Sequence, residues 1–440
     1  MRTIETVIHR LGYHSSEKLF YLSKIDKCTD LSWHDRRVLK ELAPYAVYVV
    51  DGRVLTVFFD DLDSRTDVEL HGKIWNAQMP IIISDEGNYI RIYNGKSMDL
   101  GVDKKIRLRD IVTYDLSQCD EKNTFSYWNV TNSLSLDLYE KSMDKKSLNE
   151  FLIDNLRYIT KKLKNEYKIS FANKLMLRVL FIRYLIDRGV NIGYMGLNDD
   201  VKHSQEIFLN IVQNKDDFFE LIKYLKERFN GNLFEVDEQK EKSEITDEAL
   251  SVLYSFLTAK EEMKTGQLCL FPFYDFNIIP IELISNIYEI LLGKEKQDRD
   301  KAFYTPEYLV DYIVNRTVGR CLFNECKVLD PSCGSGIFLV KSLQKILERN
   351  ADSNGFLQDK DRINALVKDN IYGIDYNEEA VDVTIFSIYV TLFDYQDPKS
   401  LEQFRLPLLK NENILFGDFF DEQKTRSIEK VDFKFILGNP

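Results

Sequence analysis

Histidine is scarce in this chain. There are five in 440 residues, and all precede residue 204. A Ser-His-Asp hydrolase is therefore excluded from the C-terminal half. The six cysteines are scattered, without a CxxC pair. Cys321 and Cys326 lie close together, but no second ligand pair accompanies them. The chain thus reads as reduced and cytoplasmic, with no structural zinc and no other metal site. No stretch reaches the ~20 apolar residues that span a membrane, and the N-terminus has no apolar signal segment. Positive charge is also short: Lys and Arg total 59 against 71 Asp and Glu, a net charge of −12. A nucleic-acid-binding protein usually carries a basic surface. Here such contact would have to come from a local patch or from something outside this sequence.

What is present suffices for two or three domains with real cores, at 44% hydrophobic and 30% charged. Residues 1–130 read as a mixed α/β domain. Ala46–Val50 and Val54–Phe59 flank the turn Asp51-Gly52 and suggest a hairpin. Pro80–Ser84 and Tyr89–Tyr93, around Glu86-Gly87-Asn88, suggest a second. Residues 131–145 are polar and read as a linker. Residues 146–297 have helical periodicity: Leu148, Phe151, Leu152, Leu156, Ile159, Leu163 and Tyr167 recur at helix spacing. Leu175 to Ile186 is apolar on more than one face, with Gly189 suited to a C-terminal cap. Residues 236–248 read as a solvated charged loop. Pro280 to Gly293 reads as a helix with proline at its start and glycine at its end. Lys294 to Asp300 reads as a charged loop.

Residues 298–440 hold the distinctive motifs. Lys327-Val328-Leu329 reads as a buried strand. Asp330-Pro331-Ser332-Cys333-Gly334-Ser335-Gly336-Ile337-Phe338-Leu339 follows, and Leu339, Leu343, Ile346 and Leu347 suit one face of a helix. The pattern is strand, glycine turn, helix. Gly334 and Gly336 can adopt angles closed to other residues and let a ligand approach the backbone. Free N–H groups at the helix start favour an anionic group. A ligand-free tight turn would also satisfy this pattern taken alone. A phosphate-cradling P-loop is excluded, since no Lys follows Gly336. The dinucleotide fingerprint is excluded too, since Leu339 stands where its third glycine belongs. Two further strands end in acids: Ile371–Asp375, followed by Tyr376, and Asn413 to Asp418, followed by Phe419. Asp375 lies 39 places after Gly336, beyond the ~20 of the dinucleotide fold, and the polar 349–362 segment accounts for the excess. Ahead of the glycine turn, Thr305 can cap a helix whose first turn suits Pro306, with an apolar face from Leu309, Tyr312 and Ile313. The last strand, Phe433–Leu437, runs into Gly438-Asn439-Pro440. No Pro-Cys dipeptide occurs, which argues against cytosine-C5 chemistry.

Asp-Pro-x-Cys-Gly-Ser-Gly-x-Phe-Leu, with Tyr304-Thr305-Pro306 before it and Asn-Pro after it, resembles the S-adenosylmethionine (SAM)-dependent N6-adenine DNA methyltransferases of restriction-modification systems, of type I or type IIG. The resemblance is specific over roughly 300–440 and looser over 145–297, where Arg178–Gly189 looks like the helical segment before the catalytic domain. It implies a Rossmann-like methyltransferase sheet at the C-terminus, strand order 3-2-1-4, behind a helical region and an N-terminal α/β domain. It implies that Tyr304, Thr305, Pro306, Asp330, Pro331, Cys333, Gly334, Gly336, Phe338, Asp375, Tyr376, Asp418 and Phe419 bind SAM. Thr305 would meet the methionine end, Asp375 the ribose hydroxyls, and Asp418 the adenine amino group with Phe419 beside the ring. Asn439 and Pro440 would be catalytic, their oxygens accepting the protons of the target amino group. The family motif continues with a second proline and an aromatic residue, so the chain is expected to be cut inside that motif and inactive alone. Double-stranded DNA is the expected partner, and a separate C-terminal or specificity polypeptide a second one. In this family the N-terminal region often resembles a PD-(D/E)xK nuclease. Asp51 stands at a plausible place and Asp60 and Asp61 could be ligands, but the strand ending Phe59-Asp60-Asp61-Leu62 has no Lys two places after an acid. A degenerate, non-cleaving domain is expected. A methyltransferase acting on RNA or protein glutamine, and an inactive SAM-binding fragment, stay open as alternatives.

Overall fold

The computed structural model describes residues 4–63, 69–100, 106–143, 148–229, 231–258, 261–263, 267–268, 274–279, 305–321, 325–352 and 355–439. The expected helix from Pro280 to Gly293, the loop 294–300, Tyr304 and Pro440 lie outside these residues. Among the described residues no helix is long and apolar enough to cross a membrane. The chain forms two compact units, one of residues 1–152 with 267–279, the other of 153–266 with 280–440.

The first unit is built on a six-stranded sheet whose spatial order is its chain order: β1 (Leu19–Tyr21), β2 (Ala46–Val50), β3 (Arg53–Asp60), β4 (Ile81–Asp85), β5 (Tyr89–Leu100) and β6 (Ile106–Asp115). Both hairpins form where alternating apolar residues flank a turn. Asp51 and Gly52 both take positive φ, 47° and 78°, as a tight hairpin turn requires. β3 and β4 are parallel, with the helix Leu70–Asn76 between them in sequence. Phe58, Ile81, Ile83, Ile90 and Ile92 point into one core with the N-terminal Ile4, Val7 and Ile8. Residues 131–145 are not a plain linker. They include the end of helix Tyr127–Thr131 and all of helix Leu136–Lys141. Val130 in the first is buried in that core, and Leu138 and Tyr139 pack against it. A few well-placed apolar side chains outweigh the polar average of the segment.

The second unit joins helices to a parallel sheet. Helix Ala172–Asp187 is buried on every side from Leu175 to Asp187. It packs against helix Glu378–Asp394, with Phe181 against Phe386 and Phe393 at ring distances of 6.1 and 5.5 Å. Two of its buried polar groups are matched across and along the helix: Tyr184 donates to Asp394 Oδ1 at 2.9 Å, and Arg183 meets Asp187 at 2.7 Å. The expected solvated loop at 236–248 is instead organised around helix Glu238–Glu244. The cause lies far away in sequence: Glu241 is drawn inward by the buried Arg178, at 2.5 Å.

The C-terminal sheet consists of β7 (Val328–Asp330), β8 (Ile371–Asp375), β9 (Ile414–Phe416) and β10 (Phe435–Ile436). Its order is β9-β8-β7-β10, all parallel, third-second-first-fourth in chain order. Leu329, Ile374 and Leu415 share one face with Ile428. Asp330, Gly373 and Asp375 alternate to the other face, the one the glycine turn covers. The last strand is shorter than the expected Phe433–Leu437, and it is paired on one side, with the Leu437 N–H donating to Leu329 O at 2.9 Å. Helix Glu307–Arg316 turns the other way from expectation. Val310 and Val314 are buried, whereas Leu309 and Tyr312 are exposed. Lys341, held at 3.0 Å from Glu307 and 3.2 Å from Asp311, fixes that rotation.

Candidate cofactor and catalytic site

β7 leaves the sheet at Asp330 and the chain turns at once. The Asp330 carboxylate accepts the Ser332 N–H at 3.1 Å, a local bond that starts the turn. The Cys333 N–H donates to Ile374 O at 3.0 Å, so the turn is laid over β8. Gly334 and Gly336 have φ of +53° and +83°, the left-handed region that suits glycine. Gly336 sits at the cap position of helix Ile337–Asn350. The surroundings of the two differ. Among the described residues, nothing lies within 4 Å of where a Gly334 Cβ would stand, while a Cβ on Gly336 would sit 2.9 Å from Thr384. The turn is therefore open at Gly334 and closed beneath Gly336. Gly373 completes the seat, since a Cβ there would lie 2.7 Å from Leu339 and 3.2 Å from Cys333.

β8 brings Asp375 to the same place. Its Oδ2 accepts the Gly334 N–H at 2.8 Å and its Oδ1 accepts the Asn377 N–H at 2.8 Å. Asn377 in turn caps helix Glu378–Asp394 through the Glu379 N–H. Asp375 thus ties the glycine turn to the start of the next helix. Both bonds come from backbone donors, and each carboxylate oxygen retains acceptor capacity. Burial raises the Asp375 carboxyl above its usual range, opposed by the two N–H donors. Asp330 is deeper: burial pushes it up to about 7, the Ser332 N–H opposes that, and the Asp375 charge adds to it. Burial, with the charges of Asp375 and Asp330, raises the Cys333 thiol well above the usual value. A thiol held neutral is no nucleophile.

Of the residues singled out in the sequence, Asp330, Pro331, Cys333, Gly334, Gly336 and Asp375 come together. Gly438 joins them just beyond β10: a Cβ there would lie 2.5 Å from Asp330 Oδ1 and 3.4 Å from Pro331, and Asn439 is the next residue in the chain. Phe338 is buried at the helix start. Tyr376, Phe419 and Phe420 are exposed, with Phe419 and Phe420 edge to face at 5.5 Å. β9 is joined to β8 beyond its pairing by the Gly417 N–H, which donates to Asp375 O at 2.9 Å. The exposed Asp418 accepts the Phe420 N–H at 2.9 Å. Thr305 is buried but caps nothing. Pro306 holds the cap position, and no side-chain cap bond forms there, because proline has no side-chain acceptor. Gly373, Asn377 and Thr384 also belong to the site. Asn two places after the strand-end acid was a usable signal, as a helix cap.

In the first unit, Asp51 lies at the opposite end of β3 from Asp60 and Asp61. Asp51 is exposed at the hairpin turn, and Asp60 is exposed at the end of β3. The nearby Asp63 is engaged instead, by Arg91 at 2.5 Å and by the Tyr93 hydroxyl at 2.9 Å.

Residues 319–440 match the family model described as "MmeI, DNA-methyltransferase domain". The chain is homologous to the type II restriction enzyme and methyltransferase RM.Eco57I of Escherichia coli, 26% identical over 292 residues, 53% of this chain and 28% of that protein. It is also homologous to the adenine-specific methyltransferase PglX of Streptomyces coelicolor, 25% identical over 103 residues, 22% of this chain and 8% of that one. The chain therefore spans less than a third of the length of these curated relatives. Among solved structures it resembles a DrdV–DNA complex at 13% identity and a TM-score of 0.38, over 90% of this chain and 38% of that one.

Proposed function

We propose that the parallel sheet of the second unit binds SAM and that the chain transfers its methyl group to the N6 of adenine in double-stranded DNA, as part of a cytoplasmic restriction-modification system. In this reading residues 298–440 carry the methyltransferase domain, 146–297 are a helical connector, and 1–130 are a degenerate nuclease-like domain. The observation that carries it is the bridge from the Gly334 N–H to Asp375, with Gly438 leaving the adjacent strand against Asp330. The residues fit the ligand. The open space at Gly334 admits a ligand to the main chain. Asp375 keeps acceptor capacity on both oxygens for the ribose hydroxyls. Tyr376 and Phe419, exposed at the ends of the second and third strands, offer flat apolar surface to an adenine ring. Pro331, Cys333, Gly336 and Phe338 shape the turn. Tyr304, Thr305 and Pro306 would hold the methionine end, and Asp418 would accept from the adenine amino group. When bound, SAM supplies an electrophilic sulfonium methyl.

The chain's own residues would act on the target base. The lone pair of an adenine N6 is delocalised into the ring and is a poor nucleophile. The side-chain oxygen of Asn439 and the main-chain oxygen of Pro440 would accept hydrogen bonds from the two amino N–H groups and shift that nitrogen toward sp3. No covalent enzyme nucleophile is needed, in keeping with a buried, neutral Cys333. The base must leave the duplex to reach these groups. The experiment is to introduce Asn439→Ala at the chromosomal locus and map N6-methyladenine across the genome. The expected result is loss of the mark from one recognition sequence. An unchanged DNA pattern, with a methyl mark lost instead from RNA or from a protein glutamine, would overturn the DNA assignment.

A further inference from the structure

The geometry points to Thr384 as a positioning residue that sets the glycine turn for SAM; the inference rests on the SAM site proposed above. Thr384 lies in the middle of helix Glu378–Asp394 and is fully buried. A helix-borne threonine commonly satisfies its hydroxyl on the carbonyl one turn back. Thr391 in the same helix does this, donating to Ser387 O at 2.8 Å. Thr384 does not. Its hydroxyl donates across to Gly334 O at 2.9 Å and lies 3.6 Å from Cys333 Sγ. The threonine is therefore aimed out of its own helix at the turn.

The consequence falls on one residue. The Gly334 N–H is held by Asp375 at 2.8 Å, and the Gly334 carbonyl is held by Thr384. Gly334 is thus clamped at both ends while its α-carbon faces open space. A left-handed glycine has many other conformations available, and each clamp removes some of them. The Thr384 side chain also occupies the volume beneath Gly336, which excludes a Cβ there. Thr384 is fully buried behind the turn and bonded to it, so it acts by presenting the turn preformed. Preorganisation of this kind raises affinity by cutting the ordering cost of binding.

The experiment compares Thr384→Ser, Thr384→Val and Thr384→Ala with the unaltered chain. SAM affinity is read by calorimetry, melting temperature by a thermal scan, and backbone amide exchange over residues 332–336 without SAM. Serine keeps the hydroxyl and is expected to stay within a few-fold of the unaltered affinity. Valine keeps the shape but loses the bond, and is expected to weaken SAM about tenfold, the size of one hydrogen bond. It is also expected to speed exchange across the turn. Alanine, which leaves a small cavity rather than an unmet steric demand, should do the same if valine fails to fold. Unchanged exchange across the turn in Thr384→Val or Thr384→Ala would overturn the inference, with or without SAM binding. So would a fall in melting temperature with SAM affinity unchanged. Absence of SAM binding by the unaltered chain would overturn the proposed function itself.

Discussion

Asp330→Asn should make the protein more stable at alkaline pH and leave it unchanged in acid. Asp330 is 2% exposed at the end of β7, and burial pushes its carboxyl from the usual ~3.9 up to about 7. The raised value means that folding favours the neutral form. Between about pH 4 and about pH 7 the native state holds a proton that the unfolded chain has lost. Stability from this group is therefore full below the unfolded value and disappears as pH rises through about 7. Three units at about 1.36 kcal/mol each set a ceiling of about 4 kcal/mol by pH 8. Asparagine is neutral throughout and keeps an oxygen for the Ser332 N–H, so the variant avoids the loss. Urea unfolding across this pH range is the assay. The gap between variant and parent should open from near zero below pH 4 to as much as ~4 kcal/mol at pH 8. A variant less stable than the parent at pH 8, or a gap independent of pH, would refute the reasoning. If the charge of Asp330 serves the site, the stabilised variant should also bind SAM less well.

Gly336→Ala should destabilise the second unit by about 2–4 kcal/mol, combining left-handed strain with overpacking against Thr384, read as a fall in urea midpoint. Arg178→Ala should cost about 3–5 kcal/mol, because it leaves Glu241 buried and unpaired. Replacing Arg178 and Glu241 together by Met and Leu should cost much less in the same unfolding assay. Plasmid incubated with the chain and Mg²⁺ or Mn²⁺ should stay intact, because no Lys stands two places after an acid on β3. Specific cuts abolished by Asp51→Ala would contradict that.

Much of the second unit was legible because its signals are local. A glycine turn between a strand and a helix, and acids at strand ends, need only neighbouring residues to be recognised. Asp330, Gly334 and Asp375 meet because parallel strands deliver their C-terminal ends to one edge. What escaped depends on distant partners. Thr384 reads as one more residue of an apolar helix until Gly334, 50 places earlier, is seen beneath it. Glu241 reads as part of a solvated run until Arg178, 63 places away, is found beside it. Helix Glu307–Arg316 offers two apolar stripes, Leu309 with Tyr312 and Val310 with Val314. Periodicity identifies both and cannot rank them, because the choice is made by what packs alongside, including Lys341. In the first unit the hairpins were plain from alternation and turn residues, whereas the short helices after residue 126 were hidden by their polar composition.

The proposed binding of SAM at the glycine turn through Asp375 is tested by calorimetric titration of the chain and of Asp375→Ala. A single site is expected on the unaltered chain, weakened at least tenfold in the variant, since bonds to a carboxylate contribute about 1.5–3 kcal/mol each. No heat and no thermal shift at millimolar SAM, or equal affinity in Asp375→Ala, would contradict it.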